Sequence, residues 1–233
     1  MSDILEVKHL TKNYGNITAL SDVTFSLEGG KIIGLLGSNG SGKTTLLKMI
    51  AGILQPTSGT VTVDGMEIGT ETKKIVSYLP ERTYLYSWMR TRDIIDYFDD
   101  FYEDFDKEKA EKLLVDLQLD KNMRLSKMSK GMKEKVQLVL VMSRRAKIYI
   151  LDEPLGGVDP ASRDYILKTI LNNFDKNATL LISTHMISDI EKILDEVIFI
   201  DNGEIVLQED AEKLRKKEKC SIDEIFRRKF YVK

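Results

Sequence analysis

Apolar and polar residues alternate in "ILEVKHL" and in "VTFSLEG", a period of two that predicts strands with one exposed face. "KIIGLLG" is apolar throughout and predicts a buried strand that runs directly into "SNGSGKTTLLKMIAG", a helix closed by Gly52. "GTVTVDG" alternates again and turns at Asp64-Gly65, and "IVSYLP" is a strand stopped by Pro80. From Arg92 to about Arg145 the period changes. Ile94, Ile95, Tyr97, Phe98 and Phe101 recur at helical spacing, as do Ala110, Leu113, Leu114 and Leu117, and no strand-like run interrupts them. The strands resume at "KIYILDEP". A helix follows near Ala161 to Phe174, then "ATLLIST", a short helix, and "EVIFIDNGEIVLQED", where Asn202-Gly203 marks a hairpin. From Ala211 onward charges dominate ("KLRKKEK", "RRK"), which predicts a solvated helix and a fraying end.

Strands alternating with helices predict an α/β fold with a mainly parallel sheet. The alternating start adds an N-terminal antiparallel β subdomain, and the middle adds an inserted α-helical subdomain. The expected division is one domain over 1–233. Residues 1–91 and 146–210 form the core, 92–145 the helical insertion and 211–233 a terminal helix and tail.

Composition narrows the function classes. With 233 residues, 42% hydrophobic, the chain is long enough for a sizeable core. A formal net charge of −2 does not announce a nucleic-acid binder. Cys220 has no second cysteine to pair with, which fits a reduced compartment. The start, "MSDILEVKHLTKNYG", is polar and reads as no signal peptide, and the longest apolar runs are far shorter than a membrane span needs.

The chemistry begins at "GSNGSGKT". Gly37, Ser38, Asn39, Gly40, Ser41, Gly42, Lys43 and Thr44 fit G-x-x-x-x-G-K-[ST] in full, between a buried strand and a helix. Glycines let backbone N–H groups wrap phosphates, and the helix start adds a favourable dipole. Lys43 is placed to reach the β and γ phosphates of a nucleotide, and Thr44 to put its hydroxyl on Mg²⁺, with Thr45 next in the helix. In "IYILDEP" a buried strand ends in Asp152 and Glu153, at the carboxyl end where ligands of parallel sheets sit. Asp152 suits Mg²⁺, and Glu153 suits a general base aimed at water. "MSKGMKEKVQLVL" runs from a loop into a helix and offers Ser129, Gly131 and free helix-start N–H groups to an anion.

Taken in order, these motifs resemble the ATP-binding subunit of ABC (ATP-binding cassette) transporters, over approximately residues 3 to 210. The resemblance implies a P-loop NTPase core, ATP and Mg²⁺ as ligands, and ATP hydrolysis. It places Tyr14 in "KNYG" against adenine, Asp159 in "LGGVDP" at the end of a loop, and His185 in "STHM" on the γ-phosphate and the attacking water. It implies head-to-tail pairing of two cassettes, so that Ser129 and Gly131 of one meet the phosphate held by Lys43 of the other. It further implies a separate membrane subunit, a station on the cytoplasmic face of the membrane and, from subtype character, export.

Two positions depart from the family pattern. "LPERT" puts Glu81 where a glutamine touches Mg²⁺ and couples to the membrane subunit. The signature reads Met128, Ser129, Lys130, Gly131, Met132, with Lys130 in place of a glycine. They keep open a regulatory subunit with weak turnover. A soluble ABC ATPase acting on nucleic acid or a ribosome is a further alternative, although neither a second cassette nor a basic stripe is present. Read without the resemblance, His185 is a strand-end histidine, Tyr14 a packing tyrosine, Asp159 before Pro160 a helix cap, and His9 structural. Tyr84, Tyr86, Trp88 and Met89 divide between packing and a groove for a helix of the membrane subunit.

Overall fold

A computed structural model describes residues 3–230 of the chain. Strands β1 (Asp3–Tyr14) and β2 (Ile17–Glu28) form a long hairpin, and β3 (Ile32–Leu36) feeds helix α1 (Lys43–Ile50). Next come β4 (Ser58–Val63), the two-residue β5 (Met66–Glu67), α2 (Thr70–Ile75) and β6 (Val76–Leu79). Helices α3 (Thr91–Phe101), α4 (Lys107–Asp116) and α5 (Lys130–Met142) occupy the middle. Then follow β7 (Ile148–Asp152), α6 (Pro160–Asn173), β8 (Thr179–Thr184), α7 (Ile187–Ile190), β9 (Glu196–Asp201), β10 (Glu204–Asp210), α8 (Ala211–Glu218) and α9 (Ile222–Phe230).

The strands make two sheets. One is antiparallel, in the order β2-β1-β4-β5. The other has the order β10-β9-β3-β8-β7-β6 and is parallel except for its edge hairpin β9/β10. Both predicted two-residue turns have positive φ at both positions: Asp64 and Gly65 between β4 and β5, Asn202 and Gly203 between β9 and β10. That geometry matches the right-handed twist of the paired strands.

Alternation along the central strands splits the core in two. Ile148 and Ile150 of β7, Leu181 of β8 and Ile198 and Ile200 of β9 face one cluster, where they meet Leu46, Leu47 and Ile50 of α1 and Leu5, Val7 and Leu10 of β1. Tyr149, Leu151, Leu180, Ile182, Val197 and Phe199 face the other, under the helices α3 to α6. Helix α1 is therefore held between the two sheets, so the loop at its start is fixed on both sides.

The C-terminal segment departs from its expected solvated character. Ala211, Leu214, Ile222, Ile225 and Phe226 are buried. The Phe226 ring stands edge-on to Phe199 at 5.4 Å, and Phe230 lies 5.9 Å from the same ring. The apolar spacing of Leu214, Ile222, Ile225 and Phe226 was present in the sequence but diluted by lysines and arginines, which project outward around it. The predicted fraying end, 231–233, lies outside the described residues. Helix α2 was not anticipated; it is a single short turn-and-a-half with Thr72 buried.

Within α3 the periodicity separates into two faces. Ile94, Ile95 and Phe98 are buried, whereas Tyr97 and Phe101 stack on each other at 5.9 Å on the exposed side. Just before that helix Tyr84, Tyr86 and Trp88 are exposed, with Tyr86 and Trp88 stacked at 6.2 Å, while Met89 packs against the core. Among the described residues no helix is long and apolar enough to cross a membrane.

Candidate functional site

The loop between β3 and α1 must turn sharply into a helix that is clamped on both sides. Gly42 caps α1 with φ +106, and a Cβ there would come within 2.7 Å of Leu20 and 2.8 Å of the Ala19 carbonyl. The loop is also held from outside. Gly203, at the tip of the β9/β10 hairpin, donates its N–H to the Ser41 carbonyl at 3.0 Å and accepts from Ser21 N–H at 2.9 Å.

Lys43 is buried and donates from Nζ to the Gly37 carbonyl at 2.8 Å and the Ser38 carbonyl at 3.0 Å. Its amine is 3.6 Å from Glu153 Oε1. Burial lowers the Lys43 pKa, and Glu153 and Asp152 pull it back up. Ser41 Oγ is buried without a hydrogen-bond partner. An orphan hydroxyl and a buried ammonium in one loop, at the start of a helix, suit an anion.

The parallel register of β7 and β8 sets Asp152 opposite Ser183. Asp152, 1% exposed, accepts from Ser183 Oγ at 2.7 Å, from Thr44 Oγ1 at 3.2 Å and from the Tyr78 hydroxyl at 3.4 Å. Burial pushes its carboxyl up, the Ser183 and Thr44 hydrogen bonds oppose this, and Glu81 and Glu153 add to the rise. Burial also pushes the Tyr78 hydroxyl up, which keeps it a donor.

Glu153 sits at φ +50, an uncommon angle for a residue with a side chain. Its N–H is shared between the Ser183 carbonyl and hydroxyl, each at 3.1 Å. Its Oε2 is 3.0 Å from His185 Nδ1 and accepts from Thr184 Oγ1 at 3.3 Å. Lysine, acid and histidine thus converge from α1, β7 and the end of β8.

These groups face one cleft of about 770 Å³. Its walls include Asn39, Gly40 and Gly42 to Thr45, the segment 79–83 with Glu81, the acidic pair, Gly156 to Val158, His185 and the first turns of α5. Glu81 therefore shares the cleft with Thr44 and Asp152. Among the described residues no group of three or more His, Cys, Asp and Glu side chains gathers as a ready metal site. Thr44 and Asp152 instead offer hard oxygen donors beside the phosphate cradle, the arrangement of a Mg²⁺ that keeps waters and takes phosphate oxygens as its other ligands. The orphan Ser41 hydroxyl, the Lys43 ammonium and this donor set fit ATP with Mg²⁺.

Other predicted site residues lie apart. Ser129 is the N-cap of α5 and accepts from Met132 N–H at 3.2 Å, and Gly131 has open space around it; neither lines this cleft, though Lys130 does. Tyr14 ends β1, half exposed and outside the lining, with Lys12 Nζ 5.3 Å above its ring. Asp159 caps α6 by accepting from Ser162 N–H at 3.2 Å, and hydrogen bonding to Ser162 holds its carboxyl low. His9 is exposed on β1, with Nδ1 2.8 Å from Asp22. Sequence reasoning passed over Ser183, Thr184 and Tyr78. The polar end of "LLIST" was the available signal, since parallel strands bring such ends beside the acidic one.

Residues 20–156 match the model of the ABC transporter family. The chain is 31% identical to an uncharacterized ABC transporter ATP-binding protein, YxlF, of Bacillus subtilis (strain 168), over 94% of this chain and 75% of that one. It is 30% identical to the linearmycin resistance ATP-binding protein LnrL of the same organism, over 87% of this chain and 68% of that one. A solved ATP-binding subunit of an ABC transporter superposes with a TM-score of 0.85 at 29% identity, covering 96% and 98% of the two chains.

Proposed function

From the premise that the chain belongs to the ABC transporter family of ATP-binding proteins, we propose a division of labour among its residues and its partners. The protein is an ATPase that binds ATP with Mg²⁺ and powers a membrane transporter. In our reading Lys43 and the backbone of Gly37 to Thr45 hold the phosphates, Lys43 exchanging the Gly37 and Ser38 carbonyls for phosphate oxygens. Thr44, Asp152 and Glu81 hold Mg²⁺, which neutralises charge on the β and γ phosphates when bound. Glu153 takes the proton of the attacking water as the water oxygen bonds to the γ-phosphorus and the β–γ bridging bond breaks. His185, against Glu153, keeps that carboxylate and the water aligned. Tyr14 stacks on adenine. The observation that carries this reading is the convergence of Lys43, Glu153 and His185 within hydrogen-bonding or ion-pair reach, beside the Thr44–Asp152 pair.

ATP-binding subunits of this family pair and work with membrane subunits. We assign Ser129 and Gly131 to the nucleotide of a second cassette, a copy or a related chain, because neither lines the cleft of its own chain. The segment 92–145 then acts as the subdomain that carries this surface. The exposed Tyr84, Tyr86 and Trp88 form the dock for an integral membrane subunit on another chain, at the cytoplasmic face. Export is our reading of direction, supported by the likeness to a protein named for linearmycin resistance.

The test is purification of the native complex. An integral membrane protein that co-purifies with the chain, and whose presence raises ATP turnover, supports the assignment; a chain that travels alone and turns over ATP independently of Ser129 overturns it. A subunit of weak turnover is the second reading, favoured by Glu81, which shares the cleft with the acidic pair Asp152 and Glu153. Steady-state ATPase measurement on the complex separates the two.

A further inference from the structure

Glu153 and His185 meet in the cleft, yet the chain that follows each has little structure of its own. After Glu153 it runs through residues 154–158 before α6 starts, and Gly156 and Gly157 are exposed there. Two adjacent glycines allow a wide choice of backbone angles, so something outside the loop must select one. After His185 the chain enters α7, a single turn seated by Ile187 and Ile190 and too short to be stable alone.

Arg163, in the first turn of α6, joins the two segments. Its Nε donates to the Val158 carbonyl at 3.4 Å, and its Nη1 donates to Asp189 Oδ2 at 3.1 Å. The Arg163 and Asp189 side chains are 26% and 28% exposed, so this ion pair is screened less than a surface one. From it, hydrogen bonds run back to the reacting groups on both sides. On the side of the acid, Val158 N–H donates to the Leu155 carbonyl at 3.2 Å and Gly156 N–H to the Glu153 carbonyl at 3.0 Å. On the side of the histidine, Asp189 N–H donates to the Met186 carbonyl at 3.4 Å, and Met186 N–H to Thr184 Oγ1 at 2.9 Å. Thr184 Oγ1 in turn donates to Glu153 Oε2 at 3.3 Å, the oxygen that faces His185 Nδ1 at 3.0 Å. The bonds close a ring that leaves Glu153 through Val158 and Arg163 and returns through Asp189, Met186 and Thr184. His185 sits in that ring, between Thr184 and Met186. Neither Arg163 nor Asp189 lines the cleft, so their place is behind the nucleotide site and not in it.

We propose that Arg163 is a positioning residue for ATP hydrolysis: by tying Val158 to Asp189 it fixes the loop after Glu153 against the turn after His185, and so keeps acid and histidine in register. The proposal rests on the reading of Glu153 as the base. Arginine suits the place because its planar fork sends one N–H to a carbonyl and another to a carboxylate at the same time.

The experiment is a double-mutant cycle on full-length protein, reading kcat and KM for ATP together with thermal melting. Arg163→Met keeps an apolar stem and removes both donors; kcat should fall about tenfold or more while KM stays within about twofold, because misplacing a reacting group acts on the chemical step. Asp189→Ala cuts the same tie from its other end and should lower kcat by a similar factor. The double variant should lose no more than about twofold beyond the worse single one. Arg163→Lys keeps the charge toward Asp189 without the fork and should recover part of the rate. Near-normal kcat in Arg163→Met, single losses that multiply in the double variant, or a lysine no better than methionine overturn the proposal. A lowered melting temperature with kcat unchanged makes the pair structural only and also overturns it. If Arg163→Met does not fold, Asp189→Asn, which still accepts from Arg163, is set against Asp189→Ala: a rate kept by Asn and lost by Ala supports the tie, and equal rates overturn it. Glu153→Gln, assayed in parallel, separates the two ideas. Near-normal turnover there removes Glu153 as base, whereas an inactive Glu153→Gln beside a normal Arg163→Met removes only the tie.

Discussion

His185 Nδ1 stands 3.0 Å from Glu153 Oε2, while Lys43 approaches the other oxygen of the same carboxylate at 3.6 Å. One acid is thus held between a group from the end of β8 and a group from the start of α1. It points into the cleft with both oxygens engaged. A carboxylate so held is oriented before substrate arrives, which is what a base needs.

Glu153→Gln keeps the shape and removes the basic oxygen. ATP turnover should fall about 100-fold or more, in the range ascribed to general-base catalysis. ATP should still bind, and the ATP-bound chain should accumulate as a pair on size-exclusion chromatography. Turnover near that of the unmodified protein would falsify the assignment.

Asp152 yields a prediction with two signs. Its folded pKa lies above the ordinary value of 3.8, chiefly through burial. The folded state therefore binds the proton more tightly than the unfolded chain. That contribution to stability is complete below pH 3.8 and is lost as pH rises through the raised folded value. Once ionised, Asp152 is a buried charge that its three hydroxyl donors only partly offset. Asp152→Asn should raise the melting temperature of the nucleotide-free protein by about 2–4 °C, roughly 1 kcal/mol, and abolish Mg²⁺-dependent turnover. Calorimetry with and without Mg²⁺ checks both arms; a lowered melting temperature counts against the argument.

Ser183 has its own expected effect. Its hydroxyl makes the shortest hydrogen bond to Asp152 and also meets the Glu153 N–H. Ser183→Ala strips a donor from a buried carboxylate, a loss of about 1.5–3 kcal/mol for a charged partner. Mg²⁺ titration of ATPase activity should show a raised requirement for the metal. An unchanged Mg²⁺ profile means the hydroxyl does not orient the acid.

Phe226→Ala tests the terminal helices. The ring is 3% exposed against Phe199, so its loss should cost about 3–5 kcal/mol. Urea denaturation gives the number directly. A cost under about 1 kcal/mol would mean α9 is only loosely seated.

Trp88 and Tyr86 are the exposed stacked pair on the approach to α3. Replacing both by alanine should cut the recovery of a co-purifying membrane subunit about tenfold or more, as expected for aromatic anchors of an interface. Undiminished recovery moves the dock elsewhere.

Local patterns made much of this legible. The buried strand and glycine loop before Lys43, the acidic end of β7 and the cap at Asp159 all depend on neighbours in sequence, and each appears where its spacing placed it. What was hidden depends on distant register or on composition. Ser183 and Tyr78 reach Asp152 only because β8 and β6 flank β7 in the sheet. Glu134 and Gly157 line one cleft, although the local patterns of their two segments say nothing of each other. The terminal helices bury a narrow apolar stripe inside a run of lysines and arginines, and charge masked it. The hydroxyl of Ser129 is engaged as a helix cap, a second use that the loop-to-helix pattern allowed without announcing.

The turn at Asn202-Gly203 looks like the tip of an ordinary surface hairpin, the sort of place where protein engineers splice in tags or whole domains. Its glycine is nevertheless bonded to the carbonyl of Ser41. An insertion there would arrive in the floor of the nucleotide loop. Screens for permissive splice points should find this turn intolerant, with lost ATP affinity as the symptom rather than misfolding.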